Sequence, residues 1–410
     1  MRTDPERLRF EIEAGDGAAR TGRLLTAHGP VATPAFVPLA TKATVRSQTG
    51  AEVSGLGYEM VLGNTYHLML SPGAERLEAL GGLHGFMGWD RAIITDSGGF
   101  QVFSLAHGGV ADEVKGRRGA KPPADAGGHG AVLEISEEGV RFRSHIDGSE
   151  RFMGPEESMA VQAALGSDIA LVFDECTPFH ADRDYTSRST ERTHRWLDRC
   201  LAWHAEHGPP RQAVYGIVQG GVYEDLRRRS AERVAEAGVD GIAIGGSLGQ
   251  DKDEMRGVVQ FALDHLPAEA PKHLLGIGEP DDLLDGIGRG LDSFDCAVPT
   301  RLARHGMALA PLPDSRFRFN IRNAEHERDE RPLVEDCPCY ACRHHTRAYL
   351  HFLARAEEMT GLRLLTTHNL AFTEALVAGS REAIRAGGFG SYRDAVMGGA
   401  PPWAAGAATG

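Results

Sequence analysis

The chain has 410 residues, of which 41% are hydrophobic and 25% charged, and its formal net charge is −13. These proportions are ordinary for a soluble globular protein, and the acidic balance argues against broad, nonspecific binding of nucleic acid. The charged N-terminus lacks an apolar signal core and no apolar run reaches the length of a membrane span, so we expect a cytoplasmic protein without membrane association.

Short apolar runs alternate with amphipathic segments along the chain. Apolar runs predict strands at 60–62, 92–94, 169–173, 214–218, 241–244, 274–277 and 291–294. Helical spacing of apolar residues predicts helices at 156–165, 187–207, 224–237, 253–266 and 281–289. Repeated strand–helix units of this kind predict a parallel sheet.

Polar residues and glycines stand at the ends of these strands. This pattern favours a (β/α)8 barrel, because the active sites of such barrels lie at the carboxyl ends of the strands. A doubly wound sheet is the alternative, but the chain has no Gly-rich dinucleotide fingerprint or P-loop to support it. The strand-end residues are Asp96, Asp174, Gln219, Gly245, Gly276 and Asp295.

Three segments have unusual compositions. Residues 106–130 are rich in Gly, Ala, Lys and Pro and predict a long loop, either an exposed insertion, which we favour, or a lid. The Gly/Ala/Pro-rich residues 396–410 predict a flexible tail. Residues 301–322 contain five Arg, one Asp and no Glu, which indicates either a solvated loop or a basic surface on an acidic chain.

Three aspartates close apolar runs. Asp96 lies in IITDSGGFQ, where two glycines let the backbone pass close to a ligand and Phe100 offers an aromatic face. Asp174 ends ALVFD and Asp295 ends LDSFD. Any one of them alone is more often a helix N-cap or turn residue. Together, with Gln219 at another strand end to read the polar edge of a planar base, they predict one pocket in which like charges and burial separate the carboxyl pKa values.

A CxCxxC run predicts a metal site with the thiol ligands Cys337, Cys339 and Cys342. The predicted fourth ligand is His368, 26 residues after the last cysteine and expected near the start of a helix. His344 and His345 are nearer alternatives, but adjacent ligands on one short loop would strain the geometry. A filled Cys3His site is structural, with one zinc ion per chain, and three reduced core cysteines are the alternative.

Eight strings closely resemble those of the bacterial tRNA-guanine transglycosylases, or queuine tRNA-ribosyltransferases, and the match is spread in the same order from about residue 10 to 395. The joint occurrence of the FDC string and the zinc string makes this resemblance specific. The strings are TDSGGFQVFSL, FRSHIDGS, VFDEC, GIVQGG, LLGIGEPDDLL, FDCAVPTRLARHG, CPCYACR and LLTTHNL.

The resemblance implies a single catalytic (β/α)8 barrel over residues 1–395, with an inserted zinc subdomain at about 310–370. It also implies replacement of the wobble guanine, at position 34 of tRNAs with a GUN anticodon, by the deazaguanine preQ1. Asp295 would attack the ribose C1′ to form a covalent ribosyl-enzyme, and Asp96 would act as general acid/base, with net retention. The family also forms homodimers through its zinc region, so we expect a homodimer.

The resemblance further assigns binding residues. The base would be held by Asp174, Gln219 and the Gly246 backbone and sandwiched by Phe100 and Leu275, beside Ser97, Gly98 and Gly99. The anticodon loop of the tRNA would contact two stretches, with Arg301 and Arg304 near the anticodon. These stretches consist of Gly276, Ile277, Gly278, Glu279, Pro280, Asp281 and Asp282, and of Thr300, Arg301, Leu302, Ala303 and Arg304.

One string departs from the family pattern. Where the family usually has GGLAVGE, this chain has GGSLGQ at 245–250, so it is one residue shorter and Gln250 replaces a glutamate. In the family this stretch faces the aminomethyl group of the incoming base. A neutral amide binds an ammonium group less strongly than a carboxylate does. The preference among preQ1, queuine and guanine therefore stays open.

Three other functions fit parts of the sequence. An archaeosine-type transglycosylase would usually carry further C-terminal RNA-binding domains, for which little chain remains after the zinc string. A noncatalytic RNA-binding partner subunit of the same fold would not need both Asp96 and Asp295. A zinc-dependent hydrolase would need an open metal position, which a Cys3His set does not leave.

Overall fold

The computed structural model describes residues 7–106, 132–177, 181–246 and 248–405. Its strands are β1 (Arg9–Asp16), β2 (Ala19–Thr26), β3 (Gly29–Thr33), β4 (Ala35–Ala40), β5 (Met60–Gly63), β6 (Ala92–Thr95), β7 (Val132–Ile135), β8 (Val140–Arg143), β9 (Glu150–Met153), β10 (Ile169–Leu171), β11 (Ala213–Val218), β12 (Gly241–Ile244), β13 (Lys272–Leu274), β14 (Ser293–Cys296), β15 (Met307–Leu309) and β16 (Arg318–Asn320).

Helices follow most of these strands. They are α1 (Gly50–Gly55), α2 (Thr65–Leu70), α3 (Ala74–Ala79), α4 (Gly82–Met87), α5 (Gly99–Ala106), α6 (Pro155–Leu165), α7 (Arg183–His207), α8 (Glu224–Glu236), α9 (Lys252–Leu263), α10 (Pro280–Gly288), α11 (Val298–Arg304), α12 (Tyr340–His344), α13 (Arg347–Arg355), α14 (Met359–Arg385), α15 (Phe389–Met397) and α16 (Pro402–Ala405), with 3-10 turns at Pro313–Ser315 and Ala324–His326.

Eight parallel strands close a barrel in the order β10-β11-β12-β13-β14-β4-β5-β6. The predicted (β/α)8 barrel is therefore confirmed, and the doubly wound sheet is excluded. Nearly all residues of these strands are buried, as a parallel sheet covered by helices requires. Antiparallel sheets of β1-β2-β3, β7-β8-β9 and β15-β16 accompany the barrel.

The strand β4 is absent from the sequence prediction. It pairs with β14 on one side and β5 on the other, and so completes the barrel. Its sequence, AFVPLA, follows Pro34 and contains Pro38. Proline cannot donate a ladder hydrogen bond and normally indicates an edge strand or a loop, which explains why the pattern gave no strand here.

Two predicted strands, 274–277 and 291–294, are displaced from β13 and β14. β13 begins at Lys272 and β14 extends to Cys296. The structure buries the polar ends of these strands because they are hydrogen-bonded: the Lys272 backbone N–H donates to Asp292 over 2.7 Å, and His273 pairs with Ser293 over 2.8 Å. Apolar periodicity does not register buried polar groups that are paired in this way.

The long helix α14 joins two hydrophobic cores. Its later residues, such as Phe372 and Leu376, belong to the main core of the barrel. Its early residues Leu364 and Leu365 belong to a smaller core that also contains Leu333 and the three clustered cysteines. His368 lies inside this helix, so the expectation that it stands near a helix start is wrong.

The end of the described chain is packed. Residues 396–410 were expected to form a flexible tail, but α16 follows at 402–405 and its Pro402 and Ala405 are buried. Trp403 packs edge-on against Phe372, with ring centroids 6.1 Å apart. Apolar contacts with α14 thus fix the chain as far as Ala405, whereas 406–410 lie outside the described residues.

The described residues bear only in part on the predicted loop and on the expected lack of a membrane span. Of the predicted loop 106–130, the structure describes only residue 106, which ends α5. In the described part of the chain, none of the helices combines the length and apolarity that crossing a bilayer requires.

Candidate active site

A cavity of about 650 Å³ opens at the carboxyl ends of the barrel strands. This volume suits a small planar ligand with part of a larger molecule attached. The three aspartates predicted to share a pocket, Asp96, Asp174 and Asp295, all line it. The wall combines these carboxyl groups with apolar side chains, among them Phe100 and Leu275.

Asp96 follows β6 and is held by three donors. Its Oδ1 accepts the Thr65 backbone N–H over 2.9 Å, and its Oδ2 accepts from the side-chain amides of Asn64 and Gln101. Burial raises the pKa of Asp96 to about 7, and the nearby charge of Asp295 adds to the rise although the hydrogen bonds oppose it. A carboxyl group with this pKa can both give and take a proton near neutral pH.

The structure adds Asn64, which the sequence analysis did not identify. Asn64 is buried and caps α2 by accepting the His67 backbone N–H over 3.2 Å, while its amide nitrogen donates to Asp96. An asparagine before a helix is an ordinary cap signal, so nothing in the sequence distinguished this one. Its second contact depends on β5 and β6 ending side by side.

Asp295 lies within β14 and is 6% exposed. Its Oδ1 accepts two hydrogen bonds, from the Gly276 backbone N–H over 3.0 Å and from His273 Nε2 over 3.2 Å. Because a carboxylate only accepts, His273 carries its proton on Nε2, and Nδ1 accepts from Ser293 Oγ over 2.8 Å. These hydrogen bonds hold Oδ1 in place. Oδ2 accepts no hydrogen bond within the described residues, which leaves it available to act as a nucleophile.

Asp174 is oriented by two side chains. Ser97 Oγ donates to Oδ1 over 2.9 Å, and Gln219 Nε2 donates to Oδ2 over 2.6 Å. Burial raises the pKa of Asp174 to about 6, although both of these bonds favour its ionised form. The carboxylate is therefore mostly ionised at neutral pH and presents an acceptor pair to the cavity.

Gly246 and Gln219 form a close contact beside Asp174. Gly246 has a φ of +79°, and a Cβ atom there would lie 2.2 Å from Gln219 Oε1, so only glycine fits. Gln219 Oε1 is buried and makes no hydrogen bond in the described part of the chain. Of the predicted base-holding groups, Ser97, Phe100, Asp174, Gly246 and Leu275 line the cavity, whereas Gly98, Gly99 and Gln219 do not.

Arg227 supports this wall and was not identified from the sequence. It is fully buried on α8, and its guanidinium donates to the carbonyls of Val218, Gly221 and Gly245 over 2.7–3.0 Å. These carbonyls lie at the ends of β11 and β12. Arg227 stands in the charged run EDLRRRS, where helical spacing could not separate one buried arginine from its exposed neighbours.

Lys252 links two loops of the cavity rim and is another residue that the sequence analysis missed. Its ammonium nitrogen lies 2.6 Å from Asp281, 3.1 Å from Asp282 and 3.2 Å from Glu279. It therefore joins the segment that contains Gln250 to the predicted RNA-contacting stretch that begins at Gly276. Three neighbouring carboxylates would repel one another without this cation.

The predicted RNA-contacting residues fall into two groups. The first group lines the cavity and comprises Gly276, Ile277, Gly278, Glu279, Asp281, Asp282 and Arg301. The second group does not line the cavity. In it Pro280, Thr300 and Ala303 are buried, and Leu302 and Arg304 are half-buried. Burial lowers the pKa of Arg304, and the positive charges of Arg46 and Arg301 lower it further, which indicates a patch of converging cations.

Four ligand atoms of the predicted metal site converge. His368 Nδ1 lies 3.7, 3.5 and 3.3 Å from the sulfur atoms of Cys337, Cys339 and Cys342. A tetrahedral zinc ion, with bonds of about 2.3 Å to sulfur and 2.0–2.1 Å to nitrogen, requires nitrogen–sulfur separations of about 3.6 Å. The four residues therefore fit a zinc site. The Leu309 carbonyl accepts from His368 Nε2 over 2.7 Å, which leaves the Nδ1 lone pair for a metal.

Comparison with known proteins gives one consistent result. A family model described as queuine tRNA-ribosyltransferase matches residues 16–401. The queuine tRNA-ribosyltransferase of Roseiflexus sp. is 49% identical over 397 residues, covering 94% of this chain and 98% of the relative. Proteins of the same name from Pseudomonas aeruginosa and Bacillus subtilis are 46% and 45% identical, each over 96% of its own length and over 95% and 96% of this chain.

Proposed function

Because the chain belongs to the queuine tRNA-ribosyltransferase family, and thus to the tRNA-guanine transglycosylases, we propose that it replaces the wobble guanine of GUN-anticodon tRNAs by preQ1 through a ribosyl-Asp295 intermediate. The pair of carboxyl groups in one cavity carries the mechanism: Asp96 has a pKa of about 7, and Asp295 has one oxygen fixed by two donors. Asp96 is therefore suited to carry a proton, and Asp295 is suited to attack the ribose.

The reaction proceeds in two displacements. Asp295 Oδ2 attacks the ribose C1′, the bond between C1′ and the guanine nitrogen breaks, and Asp96 donates its proton to the departing base. The incoming base then attacks C1′ while Asp96 takes up its proton, and the bond between the ribose and Asp295 breaks. Two inversions at C1′ give overall retention.

The cavity wall recognises the base. The target guanine must leave the stack of the anticodon loop before these groups can reach C1′, and Phe100 and Leu275 then cover its two faces. Asp174 accepts from the N–H groups of the pyrimidine edge, and Gln219 orients Asp174 from behind. The backbone at Gly246, which lines the cavity, completes the polar edge.

Asp174→Asn should raise the KM for free guanine by about 10–100-fold, with a smaller change in tRNA affinity, because an ionic acceptor is replaced by a neutral amide. Asp253→Asn is the matched control, since Asp253 is almost fully exposed on α9. Steady-state exchange kinetics at varied guanine concentration check the effect. An unchanged KM in Asp174→Asn would remove Asp174 from base recognition.

Base exchange on tRNA tests the function as a whole. With radiolabelled guanine and GUN-anticodon tRNA, the enzyme should place the label in the RNA, and unlabelled preQ1 should compete with it. Gln250 provides no ionic partner for the preQ1 ammonium, so we expect Gln250→Glu to increase the preference for preQ1 over guanine several-fold. Label incorporation that no deazaguanine inhibits would contradict the substrate assignment.

The tRNA would bind across the cavity rim. Arg301 lines the cavity, and Arg304 and Arg46 lie near enough for their charges to interact. Guanidinium groups of this kind contact phosphates and place the anticodon loop over the carboxylates. Such a local basic patch reconciles RNA binding with the net charge of −13.

We further propose that the Cys3His site holds one structural zinc ion per chain. Cys337, Cys339, Cys342 and His368 occupy all four tetrahedral positions, so the ion would stabilise the small core around it and would leave no place for substrate. Because this core is small, loss of the ion should release the segment that contains the three cysteines from its packing against α14.

Cys342→Ser should lower the zinc content from about one ion per chain to near zero and lower the Tm by about 5–10 °C. Cys200→Ala is the control, because it also removes a buried cysteine but lies in the barrel core. Metal analysis and calorimetry of the two variants check this expectation. Full zinc content in Cys342→Ser would contradict the ligand set.

An aromatic surface on the zinc region supports a homodimer. Tyr340, Tyr349, Phe352 and Met359 have exposures of 58%, 42%, 64% and 78%. Exposed large apolar groups clustered on two consecutive helices and the start of a third are typical of protein interfaces. A second copy of the chain is the proposed partner, in keeping with the expectation from the family.

A further inference from the structure

The loop between β15 and β16 brings to the cavity an arginine that neither the sequence pattern nor the family resemblance assigned. Three residues of this loop, Pro313, Arg316 and Phe317, line the cavity. The loop lies within residues 301–322, the arginine-rich segment whose sequence fitted either a solvated loop or a basic surface. Because Arg316 faces the cavity that holds the reacting carboxylates, it is placed to contact the substrate.

The backbone at Arg316 and Phe317 is strained. Their φ angles are +54° and +56°, in the left-handed region that residues other than glycine rarely occupy. Such strain persists only where the surrounding structure enforces it, and it is concentrated at binding and catalytic sites. The two left-handed residues turn the chain so that Phe317, which is 2% exposed, enters the main core while Arg316 stays exposed beside the cavity.

Hydrogen bonds within the loop hold this turn. The Arg316 backbone N–H donates to the Pro313 carbonyl over 3.0 Å, and the Phe317 N–H donates to the Leu312 carbonyl over 2.8 Å. The Phe317 carbonyl in turn accepts the Ala310 N–H over 2.8 Å. With the Phe317 ring buried as well, the backbone of Arg316 has one defined position.

The strand before the loop is fixed by α14. The Leu309 carbonyl accepts from His368 Nε2 over 2.7 Å, and the Leu309 N–H donates to Asn369 Oδ1 over 2.8 Å. His368 also belongs to the Cys3His cluster, so one helix contacts both that cluster and the strand that carries the loop. A side chain on such a preset backbone loses less conformational entropy when it binds a ligand.

The basic groups that line the cavity differ in how they are paired. Among the described residues they are Lys252, Arg301 and Arg316, and seven carboxyl groups line the cavity with them. Lys252 already contacts three of those carboxylates. Arg318, which follows the loop, lies 3.4 Å from Glu279. Arg301 and Arg316 form neither a hydrogen bond nor an ion pair within the part of the chain that the structure describes, so both remain available to an anion.

We propose that Arg316 binds a phosphate of the tRNA backbone beside the target nucleotide, a role that rests on the proposed function. Once the target base occupies the cavity, the phosphates that flank its ribose lie near the entrance. The excess of carboxyl groups there would repel a phosphate, so its placement requires a cation that is not already neutralised. A guanidinium can donate two parallel hydrogen bonds to phosphate oxygens, which also fixes the direction of the backbone.

This role extends the tRNA contacts beyond α11. Arg301 and Arg304, which the resemblance assigned to the anticodon, lie on α11, whereas Arg316 lies on the hairpin loop that follows it. Contacts from two elements would restrict rotation of the RNA backbone as well as its distance from the cavity. Arg316 would therefore help to place the ribose over Asp295 without taking part in the reaction.

Equilibrium binding of GUN-anticodon tRNA tests the proposal. Arg316→Ala should raise the Kd about tenfold and reduce the slope of log Kd against log salt concentration by about 0.7–0.9, because one phosphate contact is lost. Arg316→Gly should show the same loss, and since glycine adopts the left-handed turn without strain, it tests the site even if the alanine variant fails to fold. Arg316→Lys should lose less affinity, because a charge remains.

Arg211→Ala is the matched control. It removes an exposed arginine just before β11, at the end of the barrel opposite the cavity, and should leave both the Kd and its salt dependence unchanged. The KM for free guanine should be the same in all four variants, because a phosphate contact does not reach the base. This readout separates loss of RNA binding from a distorted base pocket.

Two results would overturn the proposal. One is a tRNA affinity in Arg316→Ala and Arg316→Gly that equals the affinity of the Arg211→Ala control. The other is weaker binding with an unchanged salt dependence, which would assign Arg316 to an uncharged part of the RNA. The proposed function fails by a different result, namely wild-type enzyme that binds the tRNA without exchanging its guanine, so the two failures can be told apart.

Discussion

Asp295→Asn should lower the rate of guanine exchange by at least about 10⁴-fold while tRNA binding changes by less than about threefold. An amide oxygen can still accept from Gly276 N–H and His273 Nε2, so the local structure of β14 should persist. The amide cannot form the ester-like bond to the ribose C1′, and the first displacement therefore stops. Exchange kinetics and filter binding of tRNA, measured on the same preparations, separate the two effects.

Asp253→Asn provides the control for the same chemical change at an exposed position, and it should exchange at the wild-type rate. The prediction fails if Asp295→Asn keeps more than about a tenth of the wild-type rate, because the nucleophile would then be another group. A large loss of tRNA affinity in Asp295→Asn would instead mean that the variant disturbs the barrel mouth.

Asp96→Asn should slow exchange by about 10²–10⁴-fold, because the departing guanine loses its proton donor. The pH dependence identifies this role. The pKa of Asp96 is raised to about 7, so the group is protonated below that pH and loses its proton above it. The wild-type kcat/KM should therefore fall as the pH rises above about 7, and the residual activity of Asp96→Asn should not show this fall.

The pH profile also separates proton donation from a purely structural role of Asp96. Asn64 and the Thr65 N–H hold Asp96 in place, and an asparagine could keep part of that network. If Asp96→Asn exchanges slowly but still loses activity above pH 7, the titrating group lies elsewhere. If it exchanges at the normal rate, Asp96 is not the acid.

The barrel could be predicted from sequence because parallel strands are short apolar runs separated by helices. The strand β4 escaped this logic because two prolines gave its sequence the appearance of a loop. The bounds of β13 and β14 were also not predicted correctly, because Lys272, His273 and Ser293 are polar yet buried. Their hydrogen-bond partners, which make burial tolerable, come from other strands and loops and cannot be read from local patterning.

The residues of the candidate site also include some that could be predicted from sequence and some that could not. Asp96, Asp174 and Asp295 could be placed in one pocket because strand ends of a barrel meet, and the family resemblance then supplied their expected roles. The supporting residues Asn64, His273, Arg227 and Lys252 could not be found, because their hydrogen-bond or ion-pair partners lie on other elements of the fold. His368 was assigned to the metal cluster although its helix begins earlier than expected, because the pairing with the cysteines depends only on spacing and residue type.

The covalent step can be tested most directly by trapping it. The enzyme is mixed with GUN-anticodon tRNA without an incoming base, the reaction is quenched in acid, and nuclease and protease fragments are examined by mass spectrometry. We predict a ribose-linked peptide whose modified residue is Asp295. A ribose attached to a different side chain, or complete absence of a linked peptide while base exchange proceeds, would contradict the mechanism.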